Sequence, residues 1–135
     1  MNVFYHIYGM KILYVIGFIC LFKCYCFSQD SITKTITQKG TASFYAQKFE
    51  GRKTSSGELF NHKKLTAAHK YLKFGTYVSV RNLKNDSVVI VKVNDRLPQT
   101  SKRTIDLTVR AAKQLNFIKS GLTKVEITVL DSLTH

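Results

Sequence analysis

The run Val88-Val89-Ile90-Val91-Lys92-Val93 restricts what this chain can fold into more than any other segment. Its β-branched side chains are stiff at χ1 and sit well on a pleated surface, so it predicts a strand. Just before it, Tyr77-Val78-Ser79-Val80-Arg81-Asn82-Leu83 alternates apolar with polar, with Val78, Val80 and Leu83 read as the inward residues. Lys84-Asn85-Asp86-Ser87 supplies turn chemistry between the two, and the pair predicts a hairpin.

Weaker elements surround it. Gly40 marks the change from a polar, Thr-rich arm (residues 29–39) to Thr41-Ala42-Ser43-Phe44-Tyr45-Ala46, an alternating strand with Phe44 on one face and Tyr45 on the other. Residues 49–58 hold two glycines among small hydroxylated and charged neighbours and read as a loop. Leu65-Thr66-Ala67-Ala68-His69 is a short apolar stretch, and Ile105-Asp106-Leu107 is long enough only for a strand end. Thr108 reads as the N-cap of a short helix whose Val109, Ala112 and Leu115 share a face. Leu122 to Leu130 alternates strictly and closes the domain. Six strands and one or two short helices predict a mainly β fold, a small closed barrel over residues 40–131. A chain of 135 residues with one proline and seven glycines is neither a TIM barrel nor a collagen or low-complexity chain.

Residues 1–28 differ in kind. Ile12 to Phe22 is an apolar run between Lys11 and Lys23, in a segment without Asp or Glu. As a helix it spans roughly 16 Å, short of the roughly 30 Å hydrocarbon core, so a cleaved signal peptide is expected and stable membrane insertion is not. Cys26-Phe27-Ser28 places the mature start near Gln29, and Met10 is read as the initiator. All three cysteines fall here, none behind the pattern that precedes a lipid-modified cysteine, so no lipid anchor is expected. The remainder then folds without disulfides. Removing this segment, which holds two lysines and no acid, leaves +11 of the chain's +13. A strongly basic exported domain points to a polyanion of the cell envelope, in the periplasm or outside the cell, and away from nucleic acid.

The chemistry has few carriers. Asp86 reads as a turn residue, Glu126 as an outward strand residue and Asp131 as part of the tail. Asp95 falls where the best strand ends in Asn94-Asp95-Arg96, a place where barrels present reactive groups, although an ion pair or turn cap is the commoner use. Glu58 sits in the Gly-rich loop. His69 ends an apolar segment, where a hydrogen-bonded core histidine is the usual outcome. A metal site built from His62, His69, Glu58 and Asp95 lacks tight ligand spacing.

Several blocks together carry a resemblance. Gly40-Thr41-Ala42-Ser43-Phe44-Tyr45, residues 49–58, Leu65 to Lys70, Val78 to Leu83, Val91-Lys92-Val93-Asn94-Asp95-Arg96 and Arg103-Thr104-Ile105-Asp106-Leu107 look like the successive blocks of the RlpA-like (rare lipoprotein A) family, in order and spacing, from about Gly40 to Leu130. The resemblance implies a six-stranded double-psi β-barrel related to those of expansins. It also implies an endolytic transglycosylase that cuts peptidoglycan strands stripped of stem peptides and leaves 1,6-anhydromuramic ends. Carried over by position, Asp95, Glu58 and His69 match the family's catalytic group. Asp95 is then expected to act as acid and base, with Glu58 assisting and His69 orienting Asp95 or stabilising charge. Phe44, Tyr45, Arg52, Thr54, Asn94 and Arg96 are expected to contact the glycan of a monomer that needs no cofactor or metal.

The alternative is a non-lytic, expansin-like module in which Phe44, Tyr45, Phe60 and Tyr71 stack on sugar. The chain departs from the family's usual pattern at Phe44-Tyr45-Ala46, where Trp-Tyr-Gly is usual, and at Leu97, where Gly usually precedes the proline. If that glycine needs a positive φ, Leu97 strains the loop; otherwise it is a hydrophobic bump. No peptidoglycan-binding repeat is expected beyond Leu130, so septal targeting by that route has no support.

Overall fold

The computed structural model describes residues 36–130. The expectations for the signal segment and the start codon lie outside the described residues. Among the described residues, no helix is long and apolar enough to cross a membrane.

Six strands close into a barrel. β1 (Thr37–Phe44) is followed by a 3-10 turn (Gln47–Phe49), then β2 (Thr66–His69), β3 (Tyr77–Asn82), β4 (Val88–Asp95), β5 (Ile105–Leu107), the helix α1 (Val109–Gln114) and β6 (Thr123–Leu130). Around the barrel the order is β1-β5-β2-β4-β3-β6. β1 runs parallel to β5 and β2 parallel to β4, while the other four pairings are antiparallel. In this closed order each of the six described strands has a neighbour on both sides, so the sheet has no end strand of the kind an open sheet exposes. The fold is the small, mainly β closed barrel that the alternation pattern predicts and the double-psi barrel that the family resemblance implies.

The hairpin of β3 and β4 pairs as expected, from Tyr77 opposite Lys92 to Arg81 opposite Val88. Val89, Val91 and Val93 point inward with Val78, Val80, Val125 and Ile127, and Ala42, Ala67, Ile105 and Leu107 are buried with them. Three details differ from the sequence reading. β1 begins at Thr37, three residues before Gly40, because Gln38 and Lys39 pair with Ile127 and Glu126 of β6. Asn82, not Leu83, takes the third inward position of β3. Its amide donates to the Leu115 carbonyl at 2.8 Å and its oxygen accepts from Thr123 at 2.8 Å, so a buried polar group is fully partnered. The helix buries Ala111 and Ala112, followed by Leu115, while Val109 stays half-exposed. Thr108 caps it as expected, accepting from Ala111 N.

One irregularity positions the site. Ala67 pairs with Val93 and Ala68 with Asp95, so β4 carries an extra residue, Asn94, against β2. Without that bulge, the alternation through Val91 and Val93 would send Asp95 into the core. With it, Asp95 stands beside Ala68, outside the barrel.

Candidate functional site

Register builds a row across four strands. Ser43 on β1 lies opposite Asp106 on β5, Asp106 opposite Ala68 on β2, and Ala68 opposite Asp95 on β4. Two strand spacings separate the aspartates, about 9 to 10 Å at the backbone. Ala68 stands between them in the register. A groove of about 710 Å³ opens above, lined also by Tyr45, Phe49, Arg52, Arg96, Leu97 and Arg103.

The two carboxyls sit in opposed environments. Asp95 accepts from the Tyr45 hydroxyl at 2.7 Å, from Ser55 N at 2.8 Å and from Arg96 N at 2.8 Å. Burial pushes the Asp95 carboxyl up, but the bonds from Ser55, Tyr45 and Arg96 outweigh it and hold it below the usual carboxylate range. Asp106 accepts from the Ser43 hydroxyl and from Arg103, whose Nε and Nη2 each approach at 3.0 Å. Burial dominates there and lifts Asp106 above the usual range; Ser43 and Arg103 pull against the lift and the Asp95 charge adds to it. Tyr45 is raised by burial and by Asp95, so its hydroxyl stays a proton donor.

The residues matched to the family's catalytic group are not all brought together. Asp95 lines the groove, whereas Glu58 and His69 do not. Glu58 lies in the loop after Gly57 and accepts from Lys92 Nζ and Asn94 Nδ2, both at 2.9 Å; these bonds lower its pKa. That loop is tied to β4, since Ser56 N donates to the Asn94 carbonyl while Ser55 N holds Asp95. His69 is the buried, bonded histidine. Its Nε2 faces the Gln38 side chain at 3.1 Å and its Nδ1 accepts from the Tyr71 and Leu72 amides at 3.2 Å. Burial, then the Arg96 and Lys70 charges, lower its pKa, so the ring is neutral near pH 7. Hydrogen-bonded orientation of Asp95 falls to Tyr45, Ser55 and Arg96 instead of His69.

The residues expected to contact glycan divide as well. Tyr45 packs on Phe60 at 4.4 Å and edge-on to Phe49 at 5.8 Å. Phe44 borders the groove but turns its ring onto Phe117 at 5.8 Å. Arg52 is exposed at the rim, and Arg96 lays its guanidinium 4.0 Å from the Phe74 ring centroid. Thr54 is buried and its hydroxyl serves the loop, donating to the Glu58 carbonyl; Asn94 is buried against Glu58. Phe60, only 3% exposed, offers no face to a sugar, while Tyr71 is 71% exposed. Leu97 is buried and has no positive φ, so it is the hydrophobic bump, without backbone strain.

Asp106 is the functional candidate that the sequence reading passed over. A second hollow, of about 630 Å³, opens behind the 3-10 turn and includes His62, Glu50 and Arg110 but neither groove aspartate. Among the described residues, no three of His, Cys, Asp and Glu gather closely enough to hold a metal ion. His62 turns edge-on to Phe60 instead, with its ring centroid 4.6 Å away.

The fold and the groove define a double-psi β-barrel with paired carboxyls on its outer face. The family model described as lytic transglycolase matches residues 37–127, and the chain belongs to that family. It is similar to the endolytic peptidoglycan transglycosylase RlpA of Haemophilus influenzae, 47% identical over 97 residues that cover 72% of this chain and 34% of that one. A probable endolytic peptidoglycan transglycosylase RlpA of Aquifex aeolicus is 51% identical over 92 residues, 68% of this chain and 41% of that one. The chain thus spans about a third to two fifths of the length of these relatives. In fold it is similar to the expansin of Clavibacter michiganensis, with a TM-score of 0.60 at 17% identity over 74% of this chain and 53% of that one. It is likewise similar to the Streptomyces papain inhibitor, with a TM-score of 0.57 at 18% identity over 70% of this chain and 96% of that one.

Proposed function

We propose that this barrel is an endolytic peptidoglycan lytic transglycosylase of the cell envelope, exported and acting as a monomer on strands without stem peptides. The observation that carries the reading is the pair of carboxyls in one groove whose proton affinities are driven apart, a pattern that assigns acid and base roles in such sites. In the reaction, one carboxyl protonates the glycosidic oxygen as the bond to the anomeric carbon breaks. It then takes the proton of the muramoyl C6 hydroxyl, whose oxygen closes on that carbon, so no water is consumed.

Asp106, with its raised proton affinity, suits the proton carrier. Asp95, held ionised, suits stabilisation of the positive charge that develops at the anomeric carbon. The sequence reading put the proton on Asp95; the three bonds that keep its charge are the reason for moving it. Glu58 acts as a positioning residue through the loop that presents Ser55 N to Asp95, and His69 through the turn at Tyr71 and Leu72.

Mass spectrometry of peptide-free glycan after incubation tests this. Wild type is expected to release 1,6-anhydro ends, and Asp106→Asn to lose about a hundred- to ten-thousand-fold in rate while still pelleting with sacculi. Reducing ends without the anhydro ring would make the reaction a hydrolysis. No release, with pelleting intact, would leave the expansin-like binder.

A further inference from the structure

Basic side chains outnumber the two acids in the groove, and they are not equivalent. Arg103 is engaged by Asp106, and Arg96 lies on Phe74 and reaches the His69 carbonyl. Lys48, Arg52 and Lys53 are exposed and border the groove, and none forms an ion pair among the described residues. Two of them converge on one ring: Lys48 Nζ lies 5.6 Å and Arg52 Cζ 5.5 Å from the Phe49 centroid. Neither cation has a carboxylate partner among the described residues, so both can meet an anionic group of a ligand in the groove. The ring itself is half-buried and edge-on to Tyr45, whose hydroxyl holds Asp95. One tyrosine therefore links the cationic rim to the groove's ionised carboxylate.

A ring beside a guanidinium and an ammonium group, with the second ammonium of Lys53 on the same groove, matches one chemistry. An aromatic side chain offers an apolar surface to the C–H face of a sugar, and an arginine fork grips a carboxylate through two parallel bonds. We infer that Lys48, Phe49, Arg52 and Lys53 form a subsite for a sugar that carries its own carboxylate, beside the bond to be cut. The inference rests on the proposed function and deepens it. Muramic acid bears a lactyl carboxyl on its ring, which is an anion when free and a neutral amide when a peptide is attached. A stem peptide carries other carboxylates, but on a flexible chain away from the ring. The subsite would therefore select strands by the charge at the sugar itself.

Titration calorimetry on the Asp106→Asn protein, in which cutting is expected to be slowed by about a hundredfold or more, tests the assignment. The probes are peptide-free glycan oligomers, the same oligomers with lactyl carboxyls converted to methylamides, and neutral chitin oligomers. Methylamidation is expected to weaken binding tenfold or more. Adding Lys48→Gln, Arg52→Gln and Lys53→Gln together should bring the acid form down to the methylamide's affinity and leave methylamide and chitin binding unchanged. Equal affinity for acid and methylamide in the parent protein overturns the inference. So does a variant that loses acid and methylamide binding alike with its melting temperature unchanged. These affinities are measurable whether or not wild type releases anhydro ends, so failure of the subsite and failure of the lytic reading are separate results.

Discussion

The Tyr45 hydroxyl reaches Asp95 from a ring fixed between Phe60 and Phe49, so a residue expected to stack on sugar also sets the charge of a carboxylate. Removing a donor from a carboxylate raises its pKa. Tyr45→Phe should therefore move the acidic limb of the pH–rate profile up, because one of the bonds that hold Asp95 ionised is lost. Asp106 works in the other direction. If it carries the proton, activity falls as pH rises through its raised pKa, and that alkaline limb should sit above the usual aspartate range. An acidic limb that does not move in Tyr45→Phe would remove Asp95 from the titrating pair. The sequence marked Asp95 because it ends the best strand, but nothing in Ile105-Asp106-Leu107 distinguished its carboxyl. What sets Asp106 apart is burial and the Ser43 and Arg103 contacts, and Ser43 lies on a strand distant in sequence. His69 shows the reverse: the family resemblance implied a catalytic ring, whereas the structure buries it beside Gln38, as its place at the end of an apolar segment suggested.

At the level of elements, the hairpin and the closing strand were legible because alternation reports directly which face is buried. The bulge at Asn94 was not, since an inserted residue reads in sequence as the end of a strand, and only the pairing partner reveals it. Gly40 reads in sequence as a boundary, but it lies inside β1, and the reason for a glycine there is a close approach that the sequence does not show. A Cβ placed there would lie 2.0 Å from Thr104 Oγ1 and 2.6 Å from its Cβ, so β1 and the segment before β5 approach as closely as only glycine allows. Thr104 N also donates to the Thr41 carbonyl at 2.8 Å, fixing that segment beside Arg103. Gly40→Ala should therefore cost about 1–3 kcal/mol by overpacking, lowering the melting temperature by roughly 4–8 °C per kcal/mol. Calorimetry that finds no change would mean that the Thr104 side chain swings clear without cost.

Across the whole molecule, a chain of net +13 is expected to meet an anionic wall polymer partly through its general field. Pelleting with sacculi should weaken steeply as ionic strength passes physiological values, where screening acts beyond about 8 Å. Binding that ignores salt would assign the affinity to stacking on Tyr71 and its neighbours. The row that carries the chemistry takes Ser43, Ala68, Asp95 and Asp106 from four strands, two of its pairings parallel and between segments far apart in sequence. Such non-local pairings form late and slowly, because the loops they close must lose their freedom before any contact rewards it. An extended chain of this sequence holds no groove, and its two aspartates are ordinary acids with ordinary titration. On the proposed function, the groove that cuts would exist only once these four strands have paired, so closing the barrel and acquiring the activity would be one event.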